Sequence, residues 1–316
     1  MIEVEHLTKR YGPLTAVNDL SFKVDKGEVV GFLGPNGAGK TTTMRVLTGY
    51  LPATEGAARV GGHDIFEEPL EVKRKIGYLP EHPPLYREMR VRSFLDFAAQ
   101  IRGVPRSERK VRTADVMDRC GIVDRADQLI GQLSKGYQQR VGVAQAIVHN
   151  PDVIILDEPT IGLDPNQIRE VRQVIKGLGR DHTVILSTHI LPEVEMVCDR
   201  VIIINKGEIS AVDSTDNLRA NMQGTQRYFV RVVGDLEDAR KAIGEIPEVI
   251  ETAAADGLGA EDGVGINVDG PADSDIRPKL AAKVVERGLG LLELRRVEMS
   301  LEDIFHQLTT SEEVSS

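Results

Sequence analysis

The chain has 316 residues, with 39 basic against 49 acidic side chains and an isoelectric point near 5.3. A content of 41% hydrophobic and 28% charged residues is that of a globular protein, long enough for one full core and a smaller second domain. The net charge of −10 argues against nucleic acid as a partner, and two cysteines, Cys120 and Cys198, are too few for a disulfide framework or a zinc site, which fits a reducing compartment.

Residues 1–5 carry neither a basic nor an apolar leader pattern, so no secretory signal is expected. No uncharged apolar run approaches the ~20 residues of a bilayer span, so a role at a membrane is expected to run through a partner. Residues 29–33 read as a buried strand and residues 41–49 as a helix ended by Gly49. Val91, Phe94, Leu95, Ala98 and Ile101 recur at helical spacing. Residues 153–156, 183–186 and 201–204 are β-branched runs without alternation, as in central strands covered on both faces. This predicts an α/β domain with a largely parallel sheet.

From residue 221 onward there are 10 basic and 19 acidic residues, which leaves residues 1–220 nearly neutral. The polar stretch 222–226 marks the expected boundary between a domain at 1–220 and a smaller one at 227–310. In the second part, strands are expected at 227–233, 248–252, 265–268 and 291–297, with helices at 236–243 and 276–287. That β-α-β-β-α-β order predicts a small α+β domain of ferredoxin-like type, with residues 253–263 as the loop between its middle strands. Ser300, Leu301, Glu302 and Asp303 resemble a capping box opening a last helix that carries Ile304, Phe305 and Leu308 on one face.

Between the first strand and helix lies Gly34-Pro35-Asn36-Gly37-Ala38-Gly39-Lys40-Thr41, followed by Thr42. It matches the phosphate-loop pattern G-x-x-x-x-G-K-[ST]. Glycines let successive N–H groups turn toward phosphate oxygens, and the helix behind them adds its positive end. Lys40 supplies a point charge for the β- and γ-phosphates, and the Thr41 hydroxyl suits Mg²⁺. The strand at 153–156 then delivers Asp157 and Glu158 at its C-terminal end. Asp157 suits Mg²⁺, and Glu158 suits the orientation of an attacking water.

Phosphate loops serve many enzymes, so the deciding segment is Leu133-Ser134-Lys135-Gly136-Tyr137-Gln138-Gln139-Arg140. It resembles the L-S-G-G-Q signature of ATP-binding-cassette (ABC) ATPases, and is expected to lead into a helix at Val141. Other elements of that family occur in order. Tyr11 resembles the aromatic that stacks on adenine, Gly162-Leu163-Asp164-Pro165 the D-loop, and Ser187-Thr188-His189 the switch histidine segment. Taken singly, Tyr11 is a surface strand aromatic and His189 a polar strand end; their place in the motif order is what suggests more. The resemblance covers about residues 1–220.

The resemblance implies a head-to-tail pair of domains holding ATP and Mg²⁺, with Glu158, His189 and Lys40 in hydrolysis. Ser134 and Gly136 would contact the γ-phosphate held by a second copy, so a homodimer or heterodimer is expected. At the family's Q-loop glutamine this chain has Glu81, a carboxylate that can also meet Mg²⁺ but adds negative charge. Lys135 and Tyr137 replace the usual Gly and Gln. Gly77-Tyr78-Leu79-Pro80-Glu81, together with the Ser300–Phe305 segment, resembles the ATP-binding subunits of ABC-2-type transporters, a group with many exporters. This implies a separate integral membrane permease and a cytoplasmic location on the membrane face. Residues 82–86 and the helix at 91–101 are the expected coupling surface. The alternative is a soluble ABC ATPase acting on ribosomes or DNA, which usually carries two cassettes or a coiled-coil insertion. A small-molecule kinase leaves the signature unexplained, and a ligand-sensing second domain has no motif in its favour.

Overall fold

The computed structural model describes residues 1–214, 217, 225–255, 263–271 and 274–297. The chain divides into two compact units, Met1–Thr215 and Asp216–Ser316. The first unit runs β1 (Ile2–Tyr11), β2 (Leu14–Val24), β3 (Val29–Leu33), α1 (Lys40–Leu47), β4 (Glu55–Val60), β5 (His63–Asp64), α2 (Pro69–Lys75) and β6 (Ile76–Leu79). It continues with α3 (Val91–Ile101), α4 (Arg106–Arg119), α5 (Lys135–Ile147), β7 (Val153–Asp157), α6 (Pro165–Leu178), β8 (Thr183–Thr188), α7 (Leu191–Val197), β9 (Arg200–Asn205) and β10 (Glu208–Ser214).

These strands make two sheets. One is antiparallel, in the order β2-β1-β4-β5. The other has the order β10-β9-β3-β8-β7-β6 and is parallel except for β10. Every residue of β3, β7 and β8 is buried, which is why their sequences do not alternate. Met44, Val46 and Leu47 of α1 pack with Ile2, Leu7, Leu20 and Val60 of the antiparallel sheet and with Phe32, Ile155, Ile185 and Ile202 of the parallel one. The Phe22 and Phe32 rings approach to 5.7 Å between the two sheets. Each such fully buried side chain contributes about 1.5–3 kcal/mol, so the start of α1 is anchored in the best-packed part of the unit.

The antiparallel sheet is absent from the sequence-based expectation. Its strands break the two-residue period: the β1–β2 pairing shifts register between Val4 and Leu7, and His6 and Asp19 take φ of 51° and 53°. The signature helix also starts earlier than expected, at Lys135 rather than Val141. Ser134 is its N-cap, accepting from Tyr137 N, and the glycine in the first turn hides that start from a propensity reading.

The second unit contains β11 (Thr225–Val233), α8 (Leu236–Gly244), β12 (Glu251–Ala254), β13 (Val264–Pro271), α9 (Arg277–Glu286) and β14 (Gly290–Val297). The strands form an antiparallel sheet in the order β12-β13-β11-β14, the arrangement of a split β-α-β sandwich. Tyr228, Val230, Val232, Ile266 and Val268 pack on Ala239, Ile243, Leu280 and Val284 of its helices. The strand expected at 248–252 begins at Glu251, because Val249 N is spent on a turn bond to Ile246 O. The helix expected from Ser300 lies outside the described residues. Among the described residues no helix is long and apolar enough to cross a membrane.

Candidate functional site

The parallel strands β3, β8, β7 and β6 end on one edge of their sheet, with Leu33 paired to Thr188 and Asp157 to Ser187. The chain order reverses at β3, which lies between β8 and β9, and such a switch point opens a crevice at the carboxyl edge. There a cleft of about 350 Å³ is lined by Ala16, Asn36, Gly37, Gly39, Lys40, Thr41, Thr42, Glu81, Glu158 and Ile161.

The loop 34–41 is shaped by close backbone approaches. A Cβ on Gly34 would stand 2.4 Å from Ile204 O, and one on Gly39 2.5 Å from Ala16 O, with Gly39 at φ 105°. Only glycine permits this course. α1 opens at Gly39 without a side-chain cap, so the N–H groups that a helix start leaves without intrahelical partners border the cleft. Lys40 Nζ donates to Gly34 O at 2.7 Å and Pro35 O at 3.1 Å, and lies 3.4 Å from Glu158 Oε1. Both charged side chains are buried.

Asp157 sits behind the loop. Its Oδ1 accepts from Ser187 Oγ at 2.6 Å and from Thr41 Oγ1 at 3.2 Å, while Oδ2 is buried without a hydrogen-bond partner. Burial pushes this carboxyl above its ordinary range, the Ser187 and Thr41 bonds oppose the shift, and the Glu81 charge adds to it. An unpartnered buried carboxylate oxygen beside a hydroxyl is a hard-oxygen pair that suits Mg²⁺. Glu158 follows at φ 48°, a left-handed conformation that costs a non-glycine residue about 1–3 kcal/mol. Its N–H donates to Ser187 Oγ at 3.1 Å, and its Oε2 lies 2.9 Å from His189 Nδ1.

The structure thus brings together Lys40, Thr41, Asp157, Glu158, His189 and Glu81. Pro35 and Gly34 enter through their carbonyls, and Ala38, within the loop, is buried. Tyr11, at the end of β1, is half exposed and is not among the residues lining the cleft, with Lys9 Nζ 5.3 Å from its ring centre. The return strand β2 does reach the loop, through Ala16. Ser134 and Gly136 are not among the residues lining the cleft. Ser134 is exposed, and a Cβ on Gly136 would stand 2.7 Å from Gln167 Cγ. Tyr137 lies against Arg140, 4.2 Å from its ring centre, and donates to Asp124 Oδ2 at 3.2 Å, so this departure from the usual signature has a packing role. Lys135 Nζ lies against Gly162, whose φ is 66°.

Three contributors are given no role by the sequence. Ala16 and Ile161 line the cleft, and nothing in their sequence positions marks them. Ser187 bridges Asp157 and the Glu158 backbone; the signal for it was its place at a strand end next to Thr188 and His189.

Residues 17–161 match the sequence profile of the family described as ABC transporter. The linearmycin resistance ATP-binding protein LnrL of Bacillus subtilis is 33% identical over 310 residues, which covers 98% of each chain. The bacitracin transport ATP-binding protein BcrA of Bacillus licheniformis is 34% identical, over 98% of this chain and 97% of that one. Among solved structures, the dimeric structure of MJ0796, a bacterial ABC transporter cassette, aligns with a TM-score of 0.62 at 25% identity, over 68% of this chain and 98% of that one.

Proposed function

From the premise that the chain belongs to the ABC transporter family of ATP-binding proteins, and is an ATPase of that family, we propose that it powers a separate ABC-2-type permease as an exporter subunit through closure of a dimer. One observation carries this reading. Lys40, Thr41, Asp157, Glu158 and His189 converge on one cleft, and the signature residues Ser134 and Gly136 are not among its lining residues. One copy therefore holds a triphosphate on one side only, and the signature helix of a second copy would complete the site. The dimeric MJ0796 cassette supports that arrangement.

In this reading Lys40 turns from Glu158 to the β- and γ-phosphates, and the N–H groups at the start of α1 bind their oxygens. Thr41 and Asp157 would hold Mg²⁺, with Glu81 at the rim, and the ion would supply charge neutralisation for the triphosphate. With Oε2 held by His189, Oε1 of Glu158 is the oxygen that accepts from the attacking water. Water attacks phosphorus, the bond to the bridging oxygen breaks, and ADP and phosphate leave. With hydrogens on both ring nitrogens, His189 would donate from Nδ1 to Glu158 Oε2 and from Nε2 to a γ-phosphate oxygen.

The coupling surface is assigned to Tyr86 and α3. Tyr86 packs at 5.9 Å on Phe94 and 5.7 Å on Phe97, yet Tyr86, Phe97 and Ile101 are all exposed. An apolar patch of this kind on a polar unit suits a membrane protein's cytoplasmic segment. Such a partner would place the chain on the cytoplasmic face of the membrane. The full-length relatives bear transport and resistance names, which favours this over a ribosome- or DNA-acting ATPase. The test is twofold. ATP turnover per chain should rise with chain concentration, and tagged protein from gently solubilised membranes should retain a multi-spanning protein in near-equal amount. Concentration-independent turnover, or recovery with ribosomes, would count against it.

A further inference from the structure

We propose that Glu193 is a positioning residue for hydrolysis, holding Glu158 and His189 in register through Thr160 and Thr188; this rests on the hydrolytic reading above. Glu193 lies in the first turn of α7 and is 1% exposed. Its Oε1 accepts from Thr160 Oγ1 and lies 3.6 Å from Arg172 Nη2 of α6. Its Oε2 accepts from Thr188 Oγ1 at 2.7 Å, and Thr188 Oγ1 in turn accepts from Ile190 N at 3.0 Å. Thr160 comes two residues after Glu158, and Thr188 immediately before His189. One carboxylate therefore ties two segments that leave the sheet on neighbouring strands, β7 and β8.

The tie answers a specific need. Glu158 sits in a left-handed conformation, and the turn beyond it is closed by Ile161 N to Glu158 O at 3.2 Å and Leu163 N to Thr160 O at 3.2 Å. Such a conformation persists only when surrounding contacts over-determine it. The 2.9 Å Glu158–His189 contact joins two separate chain segments, so its length depends on where each is pinned. A buried carboxylate is a costly way to anchor a helix that apolar packing would anchor as well. Two hydroxyls fixed from one point, with Arg172 balancing the charge, give positional precision that apolar packing does not. Arg172 is itself held, with Nη1 3.4 Å from Met196 Sδ.

The test compares wild type with Glu193→Ala and Glu193→Gln in the full chain, reading kcat and KM for MgATP and the His189 imidazole ¹⁵N resonances without nucleotide. Glu193→Ala is expected to lower kcat about 10- to 100-fold with KM within about threefold, since small misplacements of reacting groups cost this much. Glu193→Gln should recover part of the loss, because its amide oxygen still accepts from one threonine. Wild-type His189 should show a fixed Nδ1–H donor, and Glu193→Ala an averaged ring. Should Glu193→Ala not fold, Thr188→Val and Thr160→Val carry the same two readouts, each removing one tie. Unchanged kcat, a parallel loss of kcat and ATP affinity, or unaltered His189 resonances would overturn the proposal. If wild type shows no turnover while the variants still shift His189, the positioning role stands and the hydrolytic reading falls.

Discussion

Lys40 Nζ stands 3.4 Å from Glu158 Oε1, with both side chains buried. The cation assigned to the phosphates and the carboxylate assigned to the water thus share one contact. In the proposed cycle a triphosphate must draw Lys40 away, and that same movement frees Oε1 to accept a hydrogen bond. Nucleotide binding and exposure of the base become one rearrangement.

Glu158→Gln keeps the volume and an acceptor for His189 but takes no proton from water. Phosphate release should fall by at least ~100-fold. ATP affinity should hold or rise, because Lys40 loses its competing anion. Light scattering in MgATP should show a persistent dimer; undiminished phosphate release would remove Glu158 from the role of base.

Lys40→Ala has two separable effects. Nucleotide affinity should be lost in a direct titration. The fold should also lose about 2 kcal/mol, because a buried carboxylate is left short of a partner. The double variant Lys40→Ala, Glu158→Gln should regain most of that stability without regaining affinity, read from denaturant midpoints.

Asp157 gives a pH-dependent signature. Burial raises its carboxyl above the ordinary 3.8, so the folded chain binds this proton more tightly than the unfolded chain. Stability contributed at this position therefore falls as pH rises from 3.8 through the raised value, and the cost persists at neutral pH. Asp157→Asn should stabilise the chain by about 1 kcal/mol at pH 7 while reducing Mg²⁺-dependent turnover. The gain should shrink as pH falls below that window, and a gain that does not change with pH would exclude the buried charge as its source.

Glu81 adds its charge to the same carboxyl. Glu81→Gln should lower the Asp157 titration and move the acid limb of the ATPase profile to lower pH. A limb that stays in place would mean that another group sets it.

Much of the site could be read in advance because its pieces are contiguous. Gly34 to Thr41 form one loop, and Asp157 and Glu158 are adjacent, as are Ser187, Thr188 and His189. Local spacing carries their chemistry. The first sheet was not legible, because the register shift after Val4 and the left-handed His6 interrupt alternation. Glu193 gave no signal either; its partners are 33 and 5 residues away and meet only around the end of β8.

By itself, the sequence determined which groups are available: a glycine loop that can curl around phosphates, a lysine, a hydroxyl, two carboxylates at a strand end and a histidine. Those properties belong to residue types and short spacings. Tertiary structure alone decided which of these groups meet. The strand order sets β7 beside β8 and β8 beside β3, so Ser187 reaches Asp157, His189 reaches Glu158 and Lys40 meets Glu158. Pairing between strands far apart in the chain is a global outcome of burying β-branched runs on both faces, and no local segment encodes it.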